Sequence, residues 1–85
     1  MKHKKQMKIL WVDDEIDLLK SFVFFLEERN YDVDTCNNGN DAIEKVLENK
    51  YDMVILDEMM PGLDGLTTLQ EIKRINPSIP IIMVT

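Results

Sequence analysis

Acidic residues stand where two apolar runs stop. Ile9-Leu10-Trp11-Val12 ends abruptly in Asp13-Asp14-Glu15, and Met53-Val54-Ile55-Leu56 ends at Asp57. A third run, Ile81-Ile82-Met83-Val84, stops at Thr85. If the two acidic ends converge, their carboxylates repel one another unless a cation sits among them. Oxygen ligands suit a hard ion, and Mg²⁺ commonly takes one or two carboxylates together with waters and a phosphate. No His or second Cys is placed to make a zinc site. A carboxylate beside Mg²⁺ can attack phosphorus and form an aspartyl phosphate. The metal then offsets charge on the transferring group, and Thr85 could donate its hydroxyl to a phosphoryl oxygen. Helix capping is the plainer explanation, since Asp14 or Glu15 near a helix start is favourable. Capping accounts for one acid, but not for acids that end two separate buried strands.

The elements that position these residues follow from periodicity. Runs of four apolar residues without alternation suit strands covered on both faces, as in a parallel sheet. Between the first run and the next element, Ile16, Leu19, Phe22, Val23 and Leu26 share one side of a helix over 16–29. Asn30 reads as its stop. On that helix Phe24 falls well away from the apolar stripe, so it should be an exposed aromatic. Tyr31 to Cys36 alternates like a strand, and Asn37-Asn38-Gly39 is turn chemistry. A second helix runs from about Asn40 to Asn49, with Ala42, Ile43, Val46 and Leu47 on one face. After Asp57, the segment Met59-Met60-Pro61-Gly62-Leu63-Asp64-Gly65 is a loop. A third helix over 66–75 is carried by Leu66, Leu69 and Ile72, and Pro77 and Pro80 bracket a turn before the fourth strand. The order β-α-β-α-β-α-β predicts an α/β fold, a doubly wound parallel sheet with right-handed crossovers. In such sheets ligands sit outside the carboxyl ends of the strands, where Asp13, Asp14, Asp57 and Thr85 would meet.

Composition narrows the function classes. The chain has 85 residues and a formal charge of −6, enough for one domain at most. An acidic balance argues against direct nucleic-acid or anionic-membrane binding, since both need a basic field. No apolar run approaches the roughly 20 residues of a membrane span. One cysteine, Cys36, cannot form an internal disulfide, so a reducing, cytoplasmic setting is expected, with Cys36 packed as a small hydrophobe. Residues 1–7 read as a flexible basic tail that contains His3, and residues 8–85 as the structured unit.

Three motifs in order, Leu10-Trp11-Val12-Asp13-Asp14-Glu15, Asp57-Glu58-Met59-Met60-Pro61-Gly62-Leu63-Asp64-Gly65 and Val84-Thr85, resemble the receiver domain of two-component response regulators. The resemblance runs from Lys8 to Thr85 and implies a flavodoxin-like topology. It implies that Asp57 accepts a phosphoryl group from a sensor histidine kinase. Asp14, Asp57 and the Met59 backbone carbonyl would bind Mg²⁺ directly, Asp13 mainly through water, and Thr85 would be the switch hydroxyl. The chain is also similar to receivers at the front of Bacteroidetes regulators whose effector is a PglZ-type domain.

The departure from the family lies after Thr85. A receiver continues there through a helix, a fifth strand ending in a phosphate-pairing lysine, and a last helix. The expected form is thus a partial receiver, whose effector lies outside this chain. Alone, it should be largely unfolded or held together by self-association through the exposed fourth strand. It should also accept phosphate poorly. Two other functions compete: a scaffold that no longer signals, and a Mg²⁺-dependent phosphohydrolase with an Asp nucleophile. The second needs a general acid and a substrate pocket, and neither is evident in the sequence. The receiver reading is a phosphoacceptor switch and not an enzyme acting on a diffusible substrate.

Overall fold

A computed structural model describes residues 6–85; most of the expected basic tail, His3 included, lies outside the described residues. The elements are β1 (Lys8–Val12), a 3₁₀ turn (Ile16–Leu19), α1 (Lys20–Glu28), β2 (Asp32–Cys36), α2 (Gly39–Glu48), β3 (Met53–Asp57), α3 (Gly65–Ile75) and β4 (Ile81–Val84). They form one sheet of four parallel strands in the order β2-β1-β3-β4. Leu10 lies level with Asp34 on one side and Val54 on the other. Met7 already joins the pairing, because its carbonyl accepts the Asp32 N–H at 2.8 Å.

Local chemistry sets the helix ends. Asn38 and Asp64 cap α2 and α3, accepting the N–H groups of Asp41 and Thr67, both at 2.8 Å. Such caps satisfy donors that have no partner in the first helical turn. The Thr67 N–H, helped by its hydroxyl, holds Asp64 below the usual carboxylate range. After α1, Asn30 turns into the left-handed region at φ 69°, the conformation in which helices commonly stop. The expected helix from Ile16 begins instead with a 3₁₀ turn, and its regular part starts at Lys20.

Alternation along the strands gives the sheet two unequal faces. On one face Leu10, Val12, Cys36, Val54 and Leu56 pack with Ala42 and Val46 of α2 and Ile72 of α3, all of them buried. The opposite face is less fully covered: Ile9 is buried, whereas Trp11, Val33, Met53 and Ile55 are only half-buried. No residue of α1 is buried. Three residues assigned to apolar helix faces therefore prove exposed: Phe22, Leu47 and Leu66. Periodicity marks which residues share a stripe, but the width of its covering depends on neighbours the stripe cannot reveal. Phe24 is exposed as expected, at 62%. The fourth strand is the exposed edge expected of it. Ile81 and Met83 pack on the core cluster, but Ile82 and Val84 are exposed and β4 is an edge strand.

At the far end of the strands Tyr51 is buried and donates its hydroxyl to Asp34 Oδ2 at 2.6 Å. Lys8 lies 4.0 Å from the same carboxylate. Desolvation, then the Asp34 contact, pushes the Tyr51 hydroxyl well above its ordinary 10.0. Burial pushes the Cys36 thiol from 9.0 up to about 11. Both groups stay neutral in the fold at pH values where the unfolded chain has begun to ionise, so stability should fall as pH rises past 9 and then 10. Urea unfolding at about pH 8 and about pH 10.5 checks this linkage. Cys36→Ala and Tyr51→Phe should each flatten the alkaline decline; an unchanged slope in both would contradict it. Losing the bond to the Asp34 carboxylate should cost Tyr51→Phe roughly 1.5–3 kcal/mol near neutral pH.

Candidate functional site

The two acidic strand ends do meet. β1 and β3 are adjacent, and their register puts Val12 beside Leu56. Asp13 and Asp14 thus leave the sheet next to Asp57. One carboxylate oxygen from each of the three residues lies within 4.8 Å of the others. Asp13 and Asp57 are half-buried, and Asp14 is exposed.

Backbone hydrogen bonds hold the Asp13 and Asp57 carboxylates. The Asp13 N–H donates to the Cys36 carbonyl at 3.1 Å, which ties this corner to the end of β2. Asp13 Oδ1 accepts the Glu15 N–H at 2.9 Å. Asp57 Oδ1 accepts the Met59 N–H at 3.1 Å. Loss of surrounding water, then the hydrogen bond and charge of Asp57, then the charge of Asp13, push Asp14 above the usual carboxylate range. The cluster is short of positive charge, which is the state a bound cation would relieve. Its donors are all oxygens, a set that fits a hard divalent ion and not zinc.

The loop after Asp57 is pressed against the sheet. The Gly65 N–H donates to the Glu58 carbonyl at 3.2 Å. A side chain on Gly65 would begin 2.4 Å from the Asp57 carbonyl oxygen and 2.7 Å from Glu58 Cα, so glycine alone fits this approach. Beside the loop lies an open cavity of about 440 Å³ lined by Glu58, Met59, Met60, Pro61 and Asp64. The Met59 side chain is 75% exposed at its rim. Thr85 follows the Asp57–Val84 pair and stands at the same end of the sheet. There the Val84 carbonyl accepts the Glu58 N–H at 2.9 Å.

Two residues at this end escape a reading of sequence, Gly39 and Thr68. Gly39 sits in an Asn-Asn-Gly string that looks like turn chemistry, yet it opens α2. Thr68 is wholly buried, a polar residue on the inner stripe of α3 with Gly65 and Ile72. The sequence signal for Thr68 is its helical spacing from Gly65 and Ile72, on a stripe offset from Leu66 and Leu69.

A parallel α/β sheet whose adjacent strands deliver three carboxylates to one open corner is the architecture of a signalling receiver module. The chain belongs to the response regulator receiver domain family, whose model matches residues 9–85. Among relatives, it is 42% identical over 85 residues to the transcriptional regulatory protein ResD of Bacillus subtilis, covering all of this chain and 35% of ResD. The response regulator TrrA of Thermotoga maritima, solved in complex with Mg²⁺-BeF, is 38% identical with a TM-score of 0.84, over 92% of this chain and 68% of that one. A structure of the histidine kinase ThkA in complex with TrrA contains a match at 39% identity and TM-score 0.86, over 94% of this chain and 69% of that one. The chain spans about a third or less of the length of the curated relatives it matches. Among the described residues no helix is long and apolar enough to cross a membrane.

Proposed function

We propose that this chain is a phosphorylation-controlled switch in which Asp57 accepts a phosphoryl group from a sensor histidine kinase. The convergence of Asp13, Asp14 and Asp57 within 4.8 Å carries the reading. Asp14, Asp57 and the Met59 carbonyl hold Mg²⁺, with Asp13 acting through water, and Thr85 is the switch hydroxyl. The Mg²⁺–BeF complex of TrrA and the ThkA–TrrA complex support the metal and the kinase by likeness. Bound Mg²⁺ supplies offset for the negative charge of the transferring group.

The rest of the mechanism lies in the chain's own residues. The Met59 N–H on Oδ1 fixes the rotation of the Asp57 carboxylate. An Asp57 oxygen forms the new P–O bond as the donor's bond to phosphorus breaks, and the donor leaves with that electron pair. The Thr85 hydroxyl then turns toward the phosphoryl oxygens, a local change that biases a two-state surface. That surface acts on an effector domain or protein, in keeping with relatives such as ResD, a transcriptional regulatory protein.

Acetyl phosphate with Mg²⁺ should label Asp57 alone, read by borohydride reduction and peptide mass spectrometry. The yield should be lower in the 85-residue chain than in a version lengthened past Thr85 to the family's extent. Label that survives Asp57→Ala would assign the chemistry to another residue.

A further inference from the structure

The first residue of α2 sits against the corner that builds the acidic site. A side chain on Gly39 would begin 2.2 Å from Thr68 Oγ1, 3.1 Å from the Leu63 carbonyl oxygen and 3.2 Å from Leu63 Cβ. Gly39 does not adopt a positive φ. Its backbone would accept any residue, so space alone demands glycine here. Thr68 cannot easily yield, because it is 0% exposed and its hydroxyl donates to the Asp64 carbonyl at 2.8 Å. The same carbonyl accepts the Thr68 N–H at 3.0 Å. Asp64 caps α3, and the next residue, Gly65, rests on the backbone of Asp57 and Glu58. A continuous path of close contacts thus runs from α2 through Thr68, Asp64 and Gly65 to the acceptor.

The path has little slack. Gly65 leaves no room for a side chain against the Asp57 carbonyl, so the loop has little space there to take up a push on Thr68. Displacement passes to Met59 and the Asp57 side chain, which are joined by their own hydrogen bond. Misplacement of reacting groups by about 1 Å can cost on the order of 100-fold in rate.

We propose that Gly39 is a positioning residue for the chemistry at Asp57: by leaving room for Thr68 it sets where the β3–α3 loop holds Asp57 and Met59. The proposal rests on the phosphoacceptor reading and adds a residue from a different helix to it. A glycine needed only for packing would lower stability when replaced, but would leave the Mg²⁺ affinity of the folded molecules unchanged.

The test is a Mg²⁺ titration of the 85-residue chain, followed by Trp11 emission and calorimetric heat, alongside thermal melting. Gly39→Ala should weaken Mg²⁺ binding on the order of tenfold. In a Thr68→Ala background, which removes the nearest atom, the same change should have less than about a threefold effect. Gly39→Ala with a lowered Tm but wild-type Mg²⁺ affinity would overturn the proposal. So would an undiminished loss in the Thr68→Ala background. If Gly39→Ala fails to fold, Thr68→Val decides from the other side of the contact. Its methyl crowds Gly39 where the hydroxyl stood and should weaken Mg²⁺ binding severalfold; wild-type affinity in folded Thr68→Val refutes the proposal. Asp57→Asn distinguishes the two readings, because wild-type Mg²⁺ binding by that variant would defeat the site itself whatever Gly39 does.

Discussion

Titrated with Mg²⁺, the chain should show a saturating change in Trp11 emission, and Asp14→Asn and Asp57→Asn should each weaken the affinity severely. Trp11 lies two residues before Asp13 and so on the same side of β1, half-buried and close to the site's backbone. Removing either acid takes away one of three clustered oxygens and one of the negative charges that attract the ion. Changes in the outer shell of metal sites cost roughly 10–100-fold in affinity, and loss of a ligand should cost at least as much. Asp13→Asn should cost less if its contact runs through water. Equal affinities in wild type and both principal variants would remove the metal assignment and, with it, the account of Asp57 as a charged nucleophile.

At concentrations on the order of 100 µM, where weak association is visible, the 85-residue chain should sediment as a dimer or larger species. The two edges of the sheet differ in kind. β2 carries Asp32 and Asp34, charges that discourage strand addition, whereas β4 is Ile-Ile-Met-Val with no charge at all. Ile82 and Val84 stand exposed on the thinly covered face, level with half-buried Ile55 and Asp57. An uncharged apolar edge is a template for another chain. Covering several hundred Å² at about 25 cal/mol per Å² returns several kcal/mol, comparable with the roughly 5–15 kcal/mol that holds a domain together. Ile82→Lys should shift the population toward monomer, and Ile81 to Val84 amides should then exchange faster. A wild-type monomer whose Ile81 to Val84 amides exchange slowly would contradict this.

Much of the architecture was legible because the informative residues are adjacent in sequence. Apolar runs of four, each cut off by an acid or Thr85, identify three of the four strands and the end of the sheet where the carboxylates collect. The helix stop at Asn30 was legible for the same reason, whereas the caps Asn38 and Asp64 stood in strings read only as turn and loop. Burial on the helices was not legible. Phe22 lies on the predicted stripe of α1 and is still exposed, because only the distribution of elements across the sheet determines how far a stripe is covered. Gly39 failed differently. Its role depends on an atom of Thr68, twenty-nine positions away, and a local pattern had already offered turn chemistry as a sufficient reason for the glycine.

The order of the strands also bears on how the polypeptide comes into being. β1 is made first, yet its two neighbours are β2 and β3, and Ile9 meets Met53 only after 44 further residues have been added. Pairing at such separation is entropically slow to close. A nascent chain therefore presents Ile-Leu-Trp-Val as an apolar strand, first with both edges bare and then, once β2 pairs, with one, until β3 emerges. For that interval the segment is open to aggregation and to chaperones. A slowing of translation before Met53 should raise the misfolded yield, whereas a slowing after Asp57 should have little effect on it.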